Sequence, residues 1–154
     1  MDALGGILIG SGTSSTTVGG ASPALQNKVL YSGGPGVAIR SSRSNAVLGN
    51  EIQGGAQYGV YVTGVVTGTQ VQDNAISGNA SDGVRLVKAR RVTIGGNSSG
   101  AGSRTVGGQG NRIVTNRGYG LYARGACNGS VVQGNTIVAN AQGNVNLTNS
   151  RGIT

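Results

Sequence analysis

The sequence repeats a short motif in which a glycine is followed by two aliphatic residues with one variable residue between them. Copies start at Gly6, Gly36, Gly59, Gly83 and Gly120, and the same pattern follows Asn144. Their spacings are 30, 23, 24, 37 and 24 residues. A step of 23 or 24 residues, lengthened to 30 and 37 at two places, indicates a stack of similar units, each packed on its neighbours.

Two further sets of residues recur in phase with this motif. One is an asparagine two positions before an aliphatic residue, in the pairs Asn27/Val29, Asn50/Ile52, Asn74/Ile76, Asn111/Ile113 and Asn135/Ile137. The other is a single aliphatic residue 11 or 12 positions after each motif glycine, at Val18, Val47, Val71, Ile94 and Val132. Alternation of apolar and variable residues is typical of β-strands. We therefore predict an all-β solenoid of about six coils with three short strands per coil.

This arrangement predicts which side chains stack on one another. We expect Ile52, Ile76, Ile113 and Ile137 to form one buried ladder, with an asparagine ladder at the corner beside it. Glycines and asparagines are expected at the corners, where positive φ is needed and stacked amides can hydrogen-bond along the axis.

Composition supports a repeat rather than a conventional globular core or a disordered chain. The chain has 154 residues, of which 31 are glycine, with no Phe and no Trp. Regularly placed β-branched residues argue against disorder. We predict a single domain over residues 1–154, which could be part of a longer solenoid. Serine- and glycine-rich loop insertions at about 19–26 and 95–110 are expected to leave from the same corner.

The pattern from Gly6 to Leu147 resembles the parallel β-helix repeat of pectate lyases, mannuronan epimerases, phage tailspikes and many bacterial surface proteins. The resemblance implies a right-handed coil and favours an extracellular or cell-surface location, although the sequence shows no signal peptide. It does not imply one function, because this solenoid supports many activities.

Charge and exposed aromatic residues indicate a binding surface. The net charge of +8 would attract acidic polysaccharides or other polyanions. The outward position of the strand after each motif glycine, together with the position just before that glycine, brings four tyrosines to one face over three adjacent coils. Tyrosine rings stack on sugar faces, while ionic groups hold hydroxyls or carboxylates. The candidate ligand-binding residues are Tyr58, Tyr61, Asp82, Arg85, Lys88, Tyr119, Tyr122 and Arg124. Because these side chains point away from the core, we expect substitution of Tyr122 or Arg85 to alter binding and leave folding intact.

A catalytic role is less well supported, and we expect no cofactor and no metal. Gly118-Tyr119-Gly120 resembles a mannuronan epimerase motif, but the aspartate and histidine that follow it in that family are missing here. Clustered carboxylates for calcium are also missing. A β-elimination by Tyr119 or Tyr122 with Arg85 or Lys88 remains an alternative, so a uronate lyase or epimerase-like enzyme stays open.

Other partners follow from the same pattern. Uncapped coil ends would expose unpaired backbone groups, so self-association is expected, and a self-assembling solenoid without a ligand is a second alternative. Arg90 and Arg91 beside Lys88 form a small basic cluster, but no nucleic-acid-binding module accompanies them, so nucleic acid is not favoured. The sequence has no stretch of about 20 apolar residues, so no membrane span is predicted. Cys127, the single cysteine, is expected to fill the core or a corner.

Overall fold

A computed structural model describes residues 5–96, 110–148 and 153. Their strands form three parallel sheets, and successive strands of the chain pass from one sheet to the next. The first sheet contains β1 (Ile7–Ile9), β4 (Val37–Arg40), β7 (Val60–Thr67), β10 (Val84–Arg90), β13 (Tyr119–Arg124) and β16 (Gly143–Asn146). The second contains β2 (Thr17–Gly19), β5 (Ala46–Leu48), β8 (Gln70–Gln72), β11 (Thr93–Gly95) and β14 (Val131–Gln133). The third contains β3 (Lys28–Leu30), β6 (Glu51–Gln53), β9 (Ala75–Ser77), β12 (Arg112–Val114) and β15 (Thr136–Val138).

The predicted architecture and register are confirmed. Each of the first five coils contributes one strand to each sheet, β16 continues the first sheet into the sixth coil, and every strand pairs with its equivalent one coil away. In the second sheet, Val47 pairs with Val18 on one side and with Val71 on the other. Because a slip of one residue would turn every inward side chain outward, this register fixes which residues form the core.

The core is a stack of aliphatic ladders with almost no exposed surface. Ile52, Ile76 and Ile113 pair in sequence and are fully buried. Ile137 continues the same ladder but is only partly buried, because β15 is the outermost described strand of its sheet. Burial of such a side chain contributes about 1.5 to 3 kcal/mol relative to its exposure. The ladders therefore supply most of the driving force that a chain without Phe or Trp can obtain.

The second corner, between the second and third sheets, contains the predicted asparagine ladder. Asn50 accepts a hydrogen bond at Oδ1 from Asn27 Nδ2 and donates through its own Nδ2 to Asn74 Oδ1, at 3.0 and 3.1 Å. Asn74 then donates to Asn111, which donates to Asn135, both at 2.9 Å. The amides thus form a continuous chain along the solenoid axis.

One detail of this corner was predicted wrongly. The ladder asparagines do not have positive φ, and the residue just before them does in three coils, at Gly49 (φ 65°), Asp73 (φ 55°) and Gly134 (φ 64°). The residue before the asparagine makes the left-handed turn, which leaves the asparagine side chain free to face its neighbours. The asparagines are therefore required for hydrogen bonding and not for backbone conformation.

The third corner, between the third sheet and the first, contains a second asparagine ladder that the sequence analysis missed. Asn79 donates from Nδ2 to Asn116 Oδ1 at 2.8 Å, and Asn116 donates in the same way to Asn140 at 2.9 Å. In the preceding coil, the Gly55 N–H donates to Asn79 Oδ1. The coil is therefore closed by buried amides at two of its three corners.

The chain leaves β2 and β11 at the second corner, where the two longer connections of the sequence begin. Gly19 and Gly95, which end β2 and β11 of the same sheet, share a φ of 84°. The first insertion includes a single 3-10 turn at Pro23–Leu25. Most of the second, residues 97–109, lies outside the described residues. Among the residues described, no helix has the length and apolar character needed to cross a bilayer.

Candidate functional site

The outer surface of the first sheet carries the tyrosines in the predicted order. The outward position of this sheet reads, from the first coil to the sixth, Leu8, Ala38, Tyr61, Arg85, Tyr122 and Asn146. Tyr58 and Tyr119 stand three residues before Tyr61 and Tyr122, at the entrance of their strands. Each of these four rings is partly exposed.

Arg85 connects the two pairs of tyrosines. Its guanidinium carbon lies 5.0 Å from the centre of the Tyr58 ring and 4.4 Å from that of Tyr122. Tyr58 in turn contacts Tyr61, with ring centres 5.1 Å apart, and Tyr122 contacts Tyr119 at 5.8 Å. We call these five residues the tyrosine platform. Because cation–π and ring contacts hold each member against the next, the platform is organised before any ligand arrives.

Asp82 lies beneath the platform and fixes the position of Arg85. Its Oδ2 pairs with Arg85 Nη1 at 2.8 Å, while its Oδ1 accepts a hydrogen bond from the Tyr119 N–H at 2.8 Å. The Asp82 side chain is only 4% exposed, against 23% for Arg85. Both carboxylate oxygens are thus engaged within the protein. Asp82 supports the platform from below and offers little surface of its own.

The pairing of Asp82 with Arg85 leaves the tyrosine platform without net charge. The net positive charge of the protein therefore lies on its other basic residues. Half of the twelve lysines and arginines of the chain lie just after the tyrosine face, at the end of the first-sheet strands and along the first corner, between the first and second sheets. We call this set the basic corner: Arg40, Arg43, Lys88, Arg90, Arg91 and Arg124, all of which are exposed.

The basic corner is continuous with the tyrosine platform. Arg124 stands two residues after Tyr122 in β13, so both side chains leave the same face about 6.6 Å apart along the strand. Arg40 occupies the equivalent position in β4, at the same register as Arg124. Of the predicted site residues, the structure therefore groups five in the platform, buries Asp82 below it, and places Lys88 and Arg124 at its edge.

The backbone of the first corner bends through left-handed conformations twice in each coil. The first bend is at Gly12, Ser41, Gly64, Lys88 and Gly125, all with φ between 46° and 84°. The second is at Ser15, Ser44, Gly68, Arg91 and Gly129, with φ between 51° and 69°. Left-handed backbone is disfavoured for residues with a Cβ. Lys88 and Arg91 thus occupy positions where both neighbouring coils have glycine.

Two shallow grooves run along this corner and meet at Val65. One, of about 420 Å³, is lined by Gly64 to Thr67, Lys88, Arg90 and Ala126. The other, of about 510 Å³, is lined by hydroxyl side chains, Arg43, Val65 and Thr67. Val65 is 84% exposed. It occupies the extra position of a β-bulge, because β7 and β10 change register between Val87 and Ala89.

The sequence analysis missed the inner side of this corner. Val66 and Ala89 pair with each other and are buried, and Cys127 is fully buried in the same cluster. The placement of Cys127 in the core confirms its prediction. No fixed spacing indicated these residues, because the corner differs in composition from coil to coil.

The described acidic and cysteine side chains do not cluster. Among residues 5–96, 110–148 and 153, no group of three histidine, cysteine, aspartate or glutamate side chains is close enough to hold a metal ion. Glu51 instead pairs with Lys28 across neighbouring strands of the third sheet, at 3.4 Å.

Three parallel sheets, three strands per coil and stacked side-chain ladders define a solenoid of the β-helix class. A family model described as a right-handed β-helix region matches residues 5–154, so the chain belongs to this family. No curated protein and no solved structure matches the chain.

Proposed function

We propose that this β-helix is a non-catalytic binding module that holds an acidic polysaccharide on the tyrosine platform. The observation that carries the proposal is the Arg85 guanidinium between the rings of Tyr58 and Tyr122. From the coil between them, Arg85 links two pairs of tyrosines into one preorganised surface. Preorganisation lowers the entropy cost of binding.

The shape and spacing of the platform suit a chain of sugars. Successive coils are about 4.8 Å apart, so the platform extends over roughly 10 Å from the coil of Tyr61 to that of Tyr122. The tilted rings offer apolar faces on which the C–H face of a sugar can pack, and their hydroxyl groups can bond to the sugar hydroxyls. The strong positive charge of the protein favours an acidic chain over a neutral one.

Substitution of Tyr122 tests the platform. We expect Tyr122→Ala to weaken binding to alginate and pectate about five- to tenfold, because a ring contact contributes roughly 1 kcal/mol. The loss should be similar at low and high salt, since stacking is not an ion pair. Affinity electrophoresis at two salt concentrations measures this. Tyr122→Phe retains the ring and should keep most of the affinity.

The matched control is Tyr31→Ala, which removes a tyrosine that is 75% exposed and lies outside the platform. Equal affinity losses for Tyr31→Ala and Tyr122→Ala would contradict a specific role for the platform. Following ultraviolet absorbance during the same incubations detects unsaturated uronates. An absorbance rise that Tyr119→Phe or Tyr122→Phe abolishes would identify a lyase instead.

The two alternatives raised by the sequence analysis, a lyase and a self-assembling solenoid, rank below this proposal. A lyase would need one of the tyrosines as a base, and Arg85 as its partner is already paired with Asp82. Self-assembly without a ligand is favoured by the apolar side chains of the last coils, where Val138 and Val145 are each 48% exposed. Binding of a polysaccharide to the platform is compatible with both a single molecule and a self-assembled solenoid.

A further inference from the structure

Two cations of the basic corner occupy left-handed backbone, which is unfavourable for residues other than glycine. Lys88 has a φ of 54°, although the equivalent residues of the coils on either side are Gly64 and Gly125. Arg91 has a φ of 51°, between Gly68 and Gly129. Non-glycine residues in left-handed backbone are strained, and such strain concentrates at functional sites. The fourth coil thus carries cations where the repeat itself would accept glycine.

No acidic side chain among the described residues is paired with the cations of this corner. The acidic residues within the described ranges are Glu51, Asp73 and Asp82, and none of them belongs to the first corner. Glu51 and Asp82 are paired with Lys28 and Arg85. Uncompensated positive charge along one edge creates a field that attracts and orients an anionic chain.

The surface beside the cations suits a sugar chain better than a nucleic acid. Of the two grooves that meet at Val65, one is lined mainly by hydroxyl side chains such as Thr13 and Ser41, and the other by Val65, Val66 and Ala126 beside the cations. Among the described residues, no aromatic side chain lines either groove, so bases would find no stacking partner within the grooves themselves. Hydroxyls and small apolar groups match the mixed polar and C–H surface of a sugar.

These observations assign the recognition of acidic groups to the basic corner. We propose that a polysaccharide seated on the tyrosine platform places its carboxylate or sulfate groups against Lys88, Arg91 and Arg124, and that Arg85 only supports the rings. This inference rests on the proposed function, and it names the residues that recognise the acidic groups of the polysaccharide. The platform would then recognise sugar rings, and the corner would select acidic chains over neutral ones.

The test uses a variant that removes charge without disturbing the fold. Lys88→Gly/Arg91→Gly introduces the residues that the neighbouring coils already have at these two bends. The control, Arg112→Gln/Arg117→Gln, removes the same charge from two exposed arginines of the third sheet and third corner. Binding of alginate, heparin, neutral dextran and single-stranded DNA is measured over a range of salt concentrations.

We expect the corner variant to lose tenfold or more in affinity for alginate or heparin at low salt, with a shallower salt dependence, because fewer ions are displaced. The control should lose less than twofold. Because heparin carries sulfates as well as carboxylates, whereas alginate carries carboxylates only, tighter binding of heparin by the parent protein would indicate that sulfates contribute.

Equal losses in the corner variant and the control would overturn the inference, because the attraction would then be diffuse. A selective loss of single-stranded DNA binding, with polysaccharide binding unchanged, would also overturn it. If Tyr122→Ala reduces alginate affinity and the corner variant does not, the proposed function stands and this inference fails. If the corner variant alone reduces affinity, the platform proposal fails and the corner is an independent polyanion site.

Discussion

The second corner and the first corner of this solenoid both turn the chain from one sheet to the next, but they do so in different ways. At the second corner, buried Asn50, Asn74 and Asn111 pair with one another and with backbone carbonyls. At the first corner, the chain bends twice through left-handed backbone and presents exposed cations. The second corner is closed by the same amide ladder in successive coils, whereas the buried polar groups of the first corner, such as Asn45 and Ser130, differ from coil to coil and its cations are exposed to solvent.

The difference indicates how a repeat divides stability from function. Buried amides at a corner must be satisfied in every coil, so a substitution there affects the neighbouring coils as well. Exposed side chains at a corner carry no such requirement, so they can change from coil to coil. Three predictions test this division, in order of decreasing effect.

The largest effect is expected from breaking the asparagine ladder with Asn74→Ala. Asn74 Oδ1 accepts from the Asn50 N–H and Nδ2, and its Nδ2 donates to Val47 O and Asn111 Oδ1. Removing it leaves several buried polar groups without partners, each costing about 1 to 3 kcal/mol. We expect a loss of about 3 to 5 kcal/mol in the free energy of unfolding, measured by urea denaturation.

The control for this prediction is Asn128→Ala, at the exposed side of the first corner. It should change the free energy of unfolding by no more than about 0.5 kcal/mol. Comparable losses for Asn74→Ala and Asn128→Ala would remove the proposed distinction between the two corners.

A smaller effect is expected from Arg85→Ala, which leaves the 4% exposed Asp82 carboxylate without its ion-pair partner. The free energy of unfolding should fall by about 2 kcal/mol, because the remaining charge is almost fully buried. Arg85 thus has a structural role that was not expected from its outward position. The double variant Asp82→Asn/Arg85→Ala should recover at least half of the loss.

The exposed Arg124→Ala is the matched control and should be nearly neutral in thermal and urea unfolding. Failure of the double variant to recover stability would mean that ring packing around Arg85, and not its pairing with Asp82, stabilises the platform.

Much of the fold was predictable because alternation and spacing determine a solenoid. The aliphatic ladders, the asparagine ladder at Asn50, Asn74 and Asn111, and the order of outward residues all follow from in-phase repeats. The second ladder of asparagines was also predictable, because Asn79 and Asn116 each stand five residues after an asparagine of the first ladder. It was missed because the earlier coils have Ser32 and Gly55 at this position, which obscures the pattern.

The details of the candidate site were less predictable. Spacing brought Tyr58, Tyr61, Tyr119 and Tyr122 to one face, but it could not show that Arg85 lies between two rings. The burial of Asp82 depends on the turn before β10, which no periodicity describes. Alignment of the first corner coil by coil would have placed Lys88 opposite glycines, but this corner is one residue longer in alternate coils and differs in composition, so the motif alone does not align it.

The smallest effect is expected at the first bend of the basic corner, from Lys88→Gly. Glycine adopts the φ of 54° found at Lys88 without the Cβ strain of lysine, so we expect the free energy of unfolding to rise by about 0.5 to 1 kcal/mol. Lys88→Ala removes the same charge but retains Cβ, and it should leave stability nearly unchanged. The difference between these two variants in urea denaturation therefore measures the backbone strain alone. If glycine stabilises the protein and both variants bind acidic polysaccharide more weakly, the lysine is retained at this bend for binding and at the expense of stability. A stability loss in Lys88→Gly would show instead that the lysine side chain supports the fold, and the first corner would then resemble the second.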